Sequence, residues 1–156
     1  MTQTAADLSP SAQDAICEAL NQSVAETAVT TMLAQNFHWN VTGMAFGPLH
    51  ALFQEIYEDH FVAQDDLAER VKALGGHAEG MLAGMLKRSK VAEHDGHASD
   101  KDMIAAMVEA QKTLAATLAQ AGALAAEHGD TLTEDLCIAR GQTHEKFAWL
   151  LGAHLR

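Results

Sequence analysis

The chain has 156 residues, with 21 Asp and Glu against 10 Lys and Arg, a formal net charge of −11 with His neutral. The imbalance is local: residues 1–69 carry ten acids and no base, while residues 70–156 carry eleven acids and ten bases, the first of them Arg70. The N-terminal half therefore has nothing with which to hold phosphates, and no apolar run approaches the ~20 residues that cross a bilayer.

The opening stretch, MTQTAADLSPSAQD, has neither the basic nor the apolar region of a secretory signal. Cys17 and Cys137 lack metal-motif spacing and are too few for a disulfide framework. At 48% hydrophobic, the chain can bury a core of ordinary size. The expectation is a reduced, cytoplasmic protein with one domain over residues 1–156, residues 1–9 forming a short N-terminal tail.

Helix is the only pattern that recurs. Ser9-Pro10 reads as an N-cap followed by a first-turn proline, and Ile16, Leu20, Val24, Ala28 and Met32 keep helical spacing to about Asn40. Thr42 to Pro48 breaks the period. A second helix is predicted to open near Pro48 and to run through Leu49, Phe53, Ile56, His60, Leu67 and Val71 until Gly75-Gly76 stops it. Residues 76–99 are rich in Gly, His and charge, with a short amphipathic piece from Met81 to Lys87. Ser99 with Asp102 then caps a third long helix that ends at Gly129, and Thr131 with Glu134 is expected to cap a fourth, reaching about His154. Four long helices with two short links and one long central link predict an all-α four-helix bundle whose crossover carries a short helix.

The histidines raise the question of metal. His38 ends the first helix, and His50, Gln54, Asp65 and Glu69 fall at about 0°, 40°, 60° and 100° on the second, a single stripe. Any one of these residues alone is more often solvated or hydrogen-bonded than a ligand. The stripe combined with His38 on the neighbouring helix stands above that background. Gln54 and Asp65 are eleven residues apart, about 16 Å along a helix, so one copy cannot bring both ends of the stripe to one ion. Two copies packed antiparallel across a two-fold axis can, with His38 and His50 of one facing Asp65 and Glu69 of the other. Mixed imidazole and carboxylate donors suit Fe(II), Mn(II) or Zn(II).

The stretch Asn36-Phe37-His38-Trp39-Asn40-Val41-Thr42-Gly43, then Leu49-His50, then Asp65-Asp66-Leu67-Ala68-Glu69-Arg70 and Leu74-Gly75-Gly76, resembles the Dps family, the mini-ferritins. The likeness covers the whole chain in helix layout and is most specific over residues 36–76. It implies a ferritin-like bundle that assembles into a hollow dodecamer built from two-fold dimers. Such a cage oxidises Fe(II) with hydrogen peroxide or oxygen and stores the Fe(III) product, in protection against oxidative stress. By the same resemblance, His38 and His50 are ligands from one subunit, Asp65 and Glu69 are ligands from its partner, Glu69 can bridge two irons, and Trp39 lies beside the site.

The sequence departs from that family in two places. The acidic ligand usual one turn after the second histidine is replaced by Gln54, a neutral and weaker donor, so one good and one poor iron position are expected. The basic tail with which many members bind DNA is missing, so DNA binding is not expected. Two further readings compete with the ferroxidase. One is a cage that sequesters Zn(II), Mn(II) or another divalent metal without turnover; the other is a DNA-protecting particle, which the charge disfavours.

Overall fold

The computed structural model describes residues 8–156, so most of the tail expected over 1–9 lies outside the described residues. Five helices follow in order: α1 (Pro10–Asn40), α2 (Phe46–Ala73), α3 (Leu82–Arg88), α4 (Asp100–Glu127) and α5 (Thr131–Ala153). Among the described residues there is no strand.

Local chemistry explains most boundaries. The Ser9 hydroxyl accepts from the Ala12 amide at the start of α1. The Ser99 hydroxyl accepts from the Asp102 amide and donates to the Asp102 carboxylate, a reciprocal cap for α4. Two expectations are corrected here. The cap of α5 is Asp130 rather than Thr131, its carboxylate accepting from the Thr133 amide at 3.1 Å. And α2 opens at Phe46, two residues before Pro48, because Gly43 takes a φ of 101° and its carbonyl accepts from the Phe46 amide. Pro48 then sits in the first turn, where an amide has no intrahelical partner to lose.

The contacts at the helix ends give the topology. A side chain at Gly43, between α1 and α2, would meet Asp100 at the start of α4, so α2 and α4 begin at the same end of the bundle. Arg70, near the end of α2, donates to Asp130 and Thr133 at the start of α5, so α5 returns antiparallel to both. Residues 74–99 therefore travel the full length of the bundle, the single-crossover arrangement.

One face of α1 holds that crossover down. Asn21 donates to the His77 carbonyl and accepts from the Glu79 amide, both at 2.9 Å. Gln22 donates to the Arg88 carbonyl, Glu18 pairs with Arg88, and Asn36 donates to the His94 carbonyl. The link leaves α2 at Gly75, where φ is 83°, and Gly76, where any Cβ would lie 2.5 Å from the Cys17 sulfur.

Two apolar clusters fill the interior. The first gathers Phe37, Leu49, Phe53, Ile56, Met103, Met107 and Leu151; the second gathers Ile16, Leu20, Leu67, Val71, Leu118 and Cys137. Between them in sequence on α2, α4 and α5 lie His60, Gln111 and His144, all fully buried. No helix among the described residues is long and apolar enough to cross a membrane.

Candidate metal centre

Phe37 is fully buried and fixes the end of α1, which turns the adjacent His38 toward the start of α2. There His38 and His50 lock each other. His38 Nδ1 lies 2.8 Å from the His50 carbonyl, and His50 Nδ1 lies 2.7 Å from the His38 carbonyl. A carbonyl only accepts, so each Nδ1 carries the proton and donates it. In the neutral ring Nε2 is then the nitrogen with the bare lone pair, the form in which imidazole binds metal. The His38 carbonyl is also one of the last four of α1, which a helix leaves without a partner, and the His50 ring supplies one.

Ring packing fixes the pair further. The two imidazoles stack with centroids 3.7 Å apart and planes 19° from parallel. Phe46 covers the outer face of His50 at 5.1 Å, and Tyr57 meets His38 edge-on at 5.3 Å. Both histidines are half-buried, and neither Nε2 has a hydrogen-bond partner among the described residues. Such rings are oriented before any ion arrives.

Further along α2, Gln54 is half-buried and donates from Nε2 to Glu58 Oε1 at 2.7 Å. Asp65 and Glu69 are exposed and take part in no ion pair among the described residues. His50 and Asp65 are fifteen residues apart, about 22 Å along the helix. Within one chain the structure joins His38 to His50 and leaves the two acids apart. Among the described residues no three His, Cys, Asp or Glu side chains converge on one point. The candidate ligands of one chain thus fall into two halves, set apart along α2.

Apolar side chains flank both halves. Trp39 is 63% exposed, Phe61 is 72% exposed, and Phe46 and Val62 are exposed beside them. On the α1 side of Trp39, a groove of about 430 Å³ runs past Met32, Leu82 and Leu86.

Sequence reasoning missed a second constellation. Arg140 holds Asp59 with two bonds, of 3.1 and 2.7 Å, and Asp59 in turn accepts from His60 Nδ1 at 3.0 Å. Gln111 donates to His60 Nε2 at 3.0 Å and accepts from His144 Nδ1 at 2.7 Å. His144, which the sequence leaves without a partner, is thereby tied to α2 through α4. Among the described residues its Nε2 has no partner, and neither does the Arg140 Nε.

Burial pushes the His144 pKa down to about 2 and lowers that of His60 too, though Asp59 opposes the shift at His60. Burial alone would raise the Asp59 pKa, but the hydrogen bonds from His60 and Arg140 outweigh it and hold the carboxyl below its ordinary range. The available signal was that His60 lies on the same helix face as Phe53, Ile56 and Leu67, a core position. The two thiols are buried and free, and burial pushes that of Cys137 up to about 11, far from the thiolate that metals need.

The bundle and its full-length crossover define a class that comparison with known proteins bears out. The family model for the ferritin-like domain matches residues 17–156. Among named relatives, the chain is 35% identical over 145 residues to the DNA protection during starvation protein of Brevibacillus brevis, covering 93% of this chain and 97% of that one. Its fold superposes on the crystal structure of a Dps protein from Vibrio cholerae with a TM-score of 0.92 at 30% identity, covering 100% of this chain and 98% of the other. That protein is described as a member of a broad superfamily of ferritin-like diiron-carboxylate proteins. A Dps protein from Bacillus brevis superposes with a TM-score of 0.91 at 34% identity, covering 96% and 100%. The chain belongs to the Dps family of ferritin-like proteins.

Proposed function

We propose that this chain is the subunit of a cytoplasmic mini-ferritin cage, a dodecamer built from two-fold dimers, that oxidises Fe(II) between subunits and stores the ferric product. The observation that carries the reading is the His38–His50 lock, which aims two bare Nε2 atoms from a half-buried edge of the fold. Reciprocal hydrogen bonds of this kind orient metal ligands and fix their tautomers.

The partner supplies the carboxylates. If α2 packs antiparallel against its twin so that His50 lies opposite Asp65 of the partner subunit, the same register sets Gln54 opposite Phe61 of the partner subunit. That register covers an apolar side chain which a lone subunit leaves in water. His38 and His50 then hold iron from one side, and Asp65 and Glu69 of the partner subunit hold it from the other, with Glu69 able to bridge. The family's diiron-carboxylate chemistry supports iron as the substrate. Zn(II) or Mn(II) can occupy the same donors and would compete for them.

Iron is the substrate here, and the redox balance follows from it. Two Fe(II) ions each give one electron to one hydrogen peroxide, and the O–O bond breaks. Hydrolysis with two waters leaves two FeOOH units and releases four protons. Both electrons reach peroxide as a pair, so no hydroxyl radical escapes. Asp65 and Glu69 favour the harder Fe(III) product.

The test is a pair of measurements on the assembled protein: particle mass, and ferric absorbance after anaerobic Fe(II) loading followed by peroxide. A dodecameric mass with ferric growth, slowed by the weaker position at Gln54, supports the reading. A monomer rejects the inter-subunit site altogether, and a cage that binds Fe(II) without ferric growth rejects the ferroxidase in favour of plain metal sequestration.

The Brevibacillus relative is named for DNA protection, but this chain carries −11 and no Lys or Arg before Arg70. Twelve such subunits repel phosphates. No mobility shift of duplex DNA is expected at neutral pH and physiological salt without added divalent metal.

A further inference from the structure

Gln54 is one of the two places where this chain leaves its family's pattern, and any role for it at a metal rests on the proposed iron site. A neutral amide replaces a carboxylate at a position that should face the ion. An amide has two ends of opposite character: Oε1 can coordinate a cation, and the NH₂ group cannot. A Gln that rotates freely about its last torsion presents the wrong end about half the time. The usefulness of Gln54 as a donor depends on whatever decides that torsion.

Glu58 lies one turn further along α2, and its Oε1 is 2.7 Å from Gln54 Nε2. An ionised carboxylate only accepts, so the amide must offer it an N–H. The Gln54 carbonyl oxygen is therefore turned away from Glu58. Glu58 is exposed and joins no ion pair among the described residues, so its carboxylate is not drawn off by a Lys or Arg. We propose that Glu58 is a positioning residue: it anchors the NH₂ end of Gln54 so that Oε1 is the end presented to the second, weaker iron position.

The experiment uses Co(II) as an anaerobic, redox-silent probe, titrated into the assembled protein and followed by its visible absorption. In the wild type, one tight and one weak Co(II) per site are expected. Glu58→Ala should weaken the weak step about tenfold, as loss of an orienting partner generally does, and leave the tight step unchanged. Glu58→Gln should restore most of that loss, because its own carbonyl can still accept from the Gln54 amide. In a Gln54→Asp background both oxygens of residue 54 can coordinate, and Glu58→Ala should have no effect.

Three results would overturn the assignment. The first is a weak step that Glu58→Ala leaves unaltered in the Gln54 protein. The second is a Glu58→Gln variant as damaged as Glu58→Ala, which would make charge rather than orientation the cause. The third is an equal loss from Glu58→Ala in the Gln54→Asp background, which would make Glu58 itself a ligand. Absence of any Co(II) binding in the wild type, or binding that survives removal of His38 and His50, rejects the metal centre as a whole and this assignment with it.

Discussion

Two histidine pairs sit in this fold, and they have little in common beyond their residue type. His38 and His50 stack face to face at 3.7 Å on a half-buried edge, while His60 and His144 meet at 81° with centroids 4.9 Å apart in the fully buried middle of the bundle. Each pair spends its Nδ1 protons on nearby oxygens. The outer pair gives them to each other's backbone, so neither Nε2 has a partner among the described residues. The inner pair is threaded into a chain that runs from Arg140 through Asp59, His60 and Gln111 to His144, and complete burial seals both rings from cations. The lesson is that a bare Nε2 makes a ligand only where the fold leaves room for the ion. In the interior the same bare nitrogen is an unsatisfied polar atom.

Mutating the outer pair should have the larger effect on metal and the smaller one on the fold. His38→Ala with His50→Ala removes both nitrogen donors, and Co(II) or Fe(II) affinity is expected to fall more than about 100-fold. Thermal stability should drop by only about 1–2 kcal/mol, since two exchanged hydrogen bonds and partial ring packing are all that is lost. Titration and calorimetry on the same sample check both halves of this statement. Equal losses in the two measurements would erase the contrast between the pairs.

The inner pair should behave in reverse. His144→Ala leaves a cavity and an unpaired Gln111 oxygen, and is expected to cost about 2–4 kcal/mol in denaturant unfolding. At temperatures where the variant stays folded, Co(II) affinity should be unchanged. A large loss of metal binding there would mean that the buried chain and the metal edge act as one unit.

Acid should lower stability through the inner pair. Folded, His144 titrates only near pH 2 and His60 below its ordinary value, whereas both take a proton near pH 6.5 once unfolded. Below pH 6.5 the unfolded chain therefore binds protons that the folded chain does not, and stability falls as pH falls. Each imidazole contributes up to about 1.4 kcal/mol per pH unit, and well above about pH 6.5 neither adds any slope. Asp59 adds a further loss only below about pH 4, the range in which its unfolded carboxyl takes a proton. Urea unfolding between about pH 7 and 4.5 reads this slope directly. His144→Phe should reduce it by one proton; an unchanged slope would mean that His144 is protonated in the folded protein.

The smallest effect should come from a histidine that belongs to neither pair. His97 is exposed in the crossover, and the bond near it runs from its backbone amide to Asp95. His97→Ala is expected to alter stability by less than about 0.5 kcal/mol and to leave metal stoichiometry as it was. A measurable loss of bound Co(II) would place a third site in that loop.

Particular residues show how far the sequence could be read. His38 and the stripe of His50, Gln54, Asp65 and Glu69 are visible from helical spacing alone, because periodicity is a local property. The separation of His50 from Asp65 is legible for the same reason, since rise per residue sets that distance. The reciprocal bonds between His38 and His50 were not legible. They join residues on two helices whose relative height is set by the turn at Gly43, and that turn opened α2 two residues earlier than Pro48 suggested. The α5 cap moved from Thr131 to Asp130 for a similar reason: the same carboxylate that caps α5 also receives Arg70 from α2.

By itself the sequence determined the helices, the long crossover, the acidic N-terminal half and the face that carries the candidate ligands. All of these follow from residue spacing and composition. Tertiary structure alone decided which histidines are open and which are sealed, and that Asp59 is bound by Arg140 rather than free. The physical reason is that a side chain's proton, partner and access to solvent depend on groups far away in sequence. For His144 the decisive neighbour, Gln111, lies 33 residues back along the chain.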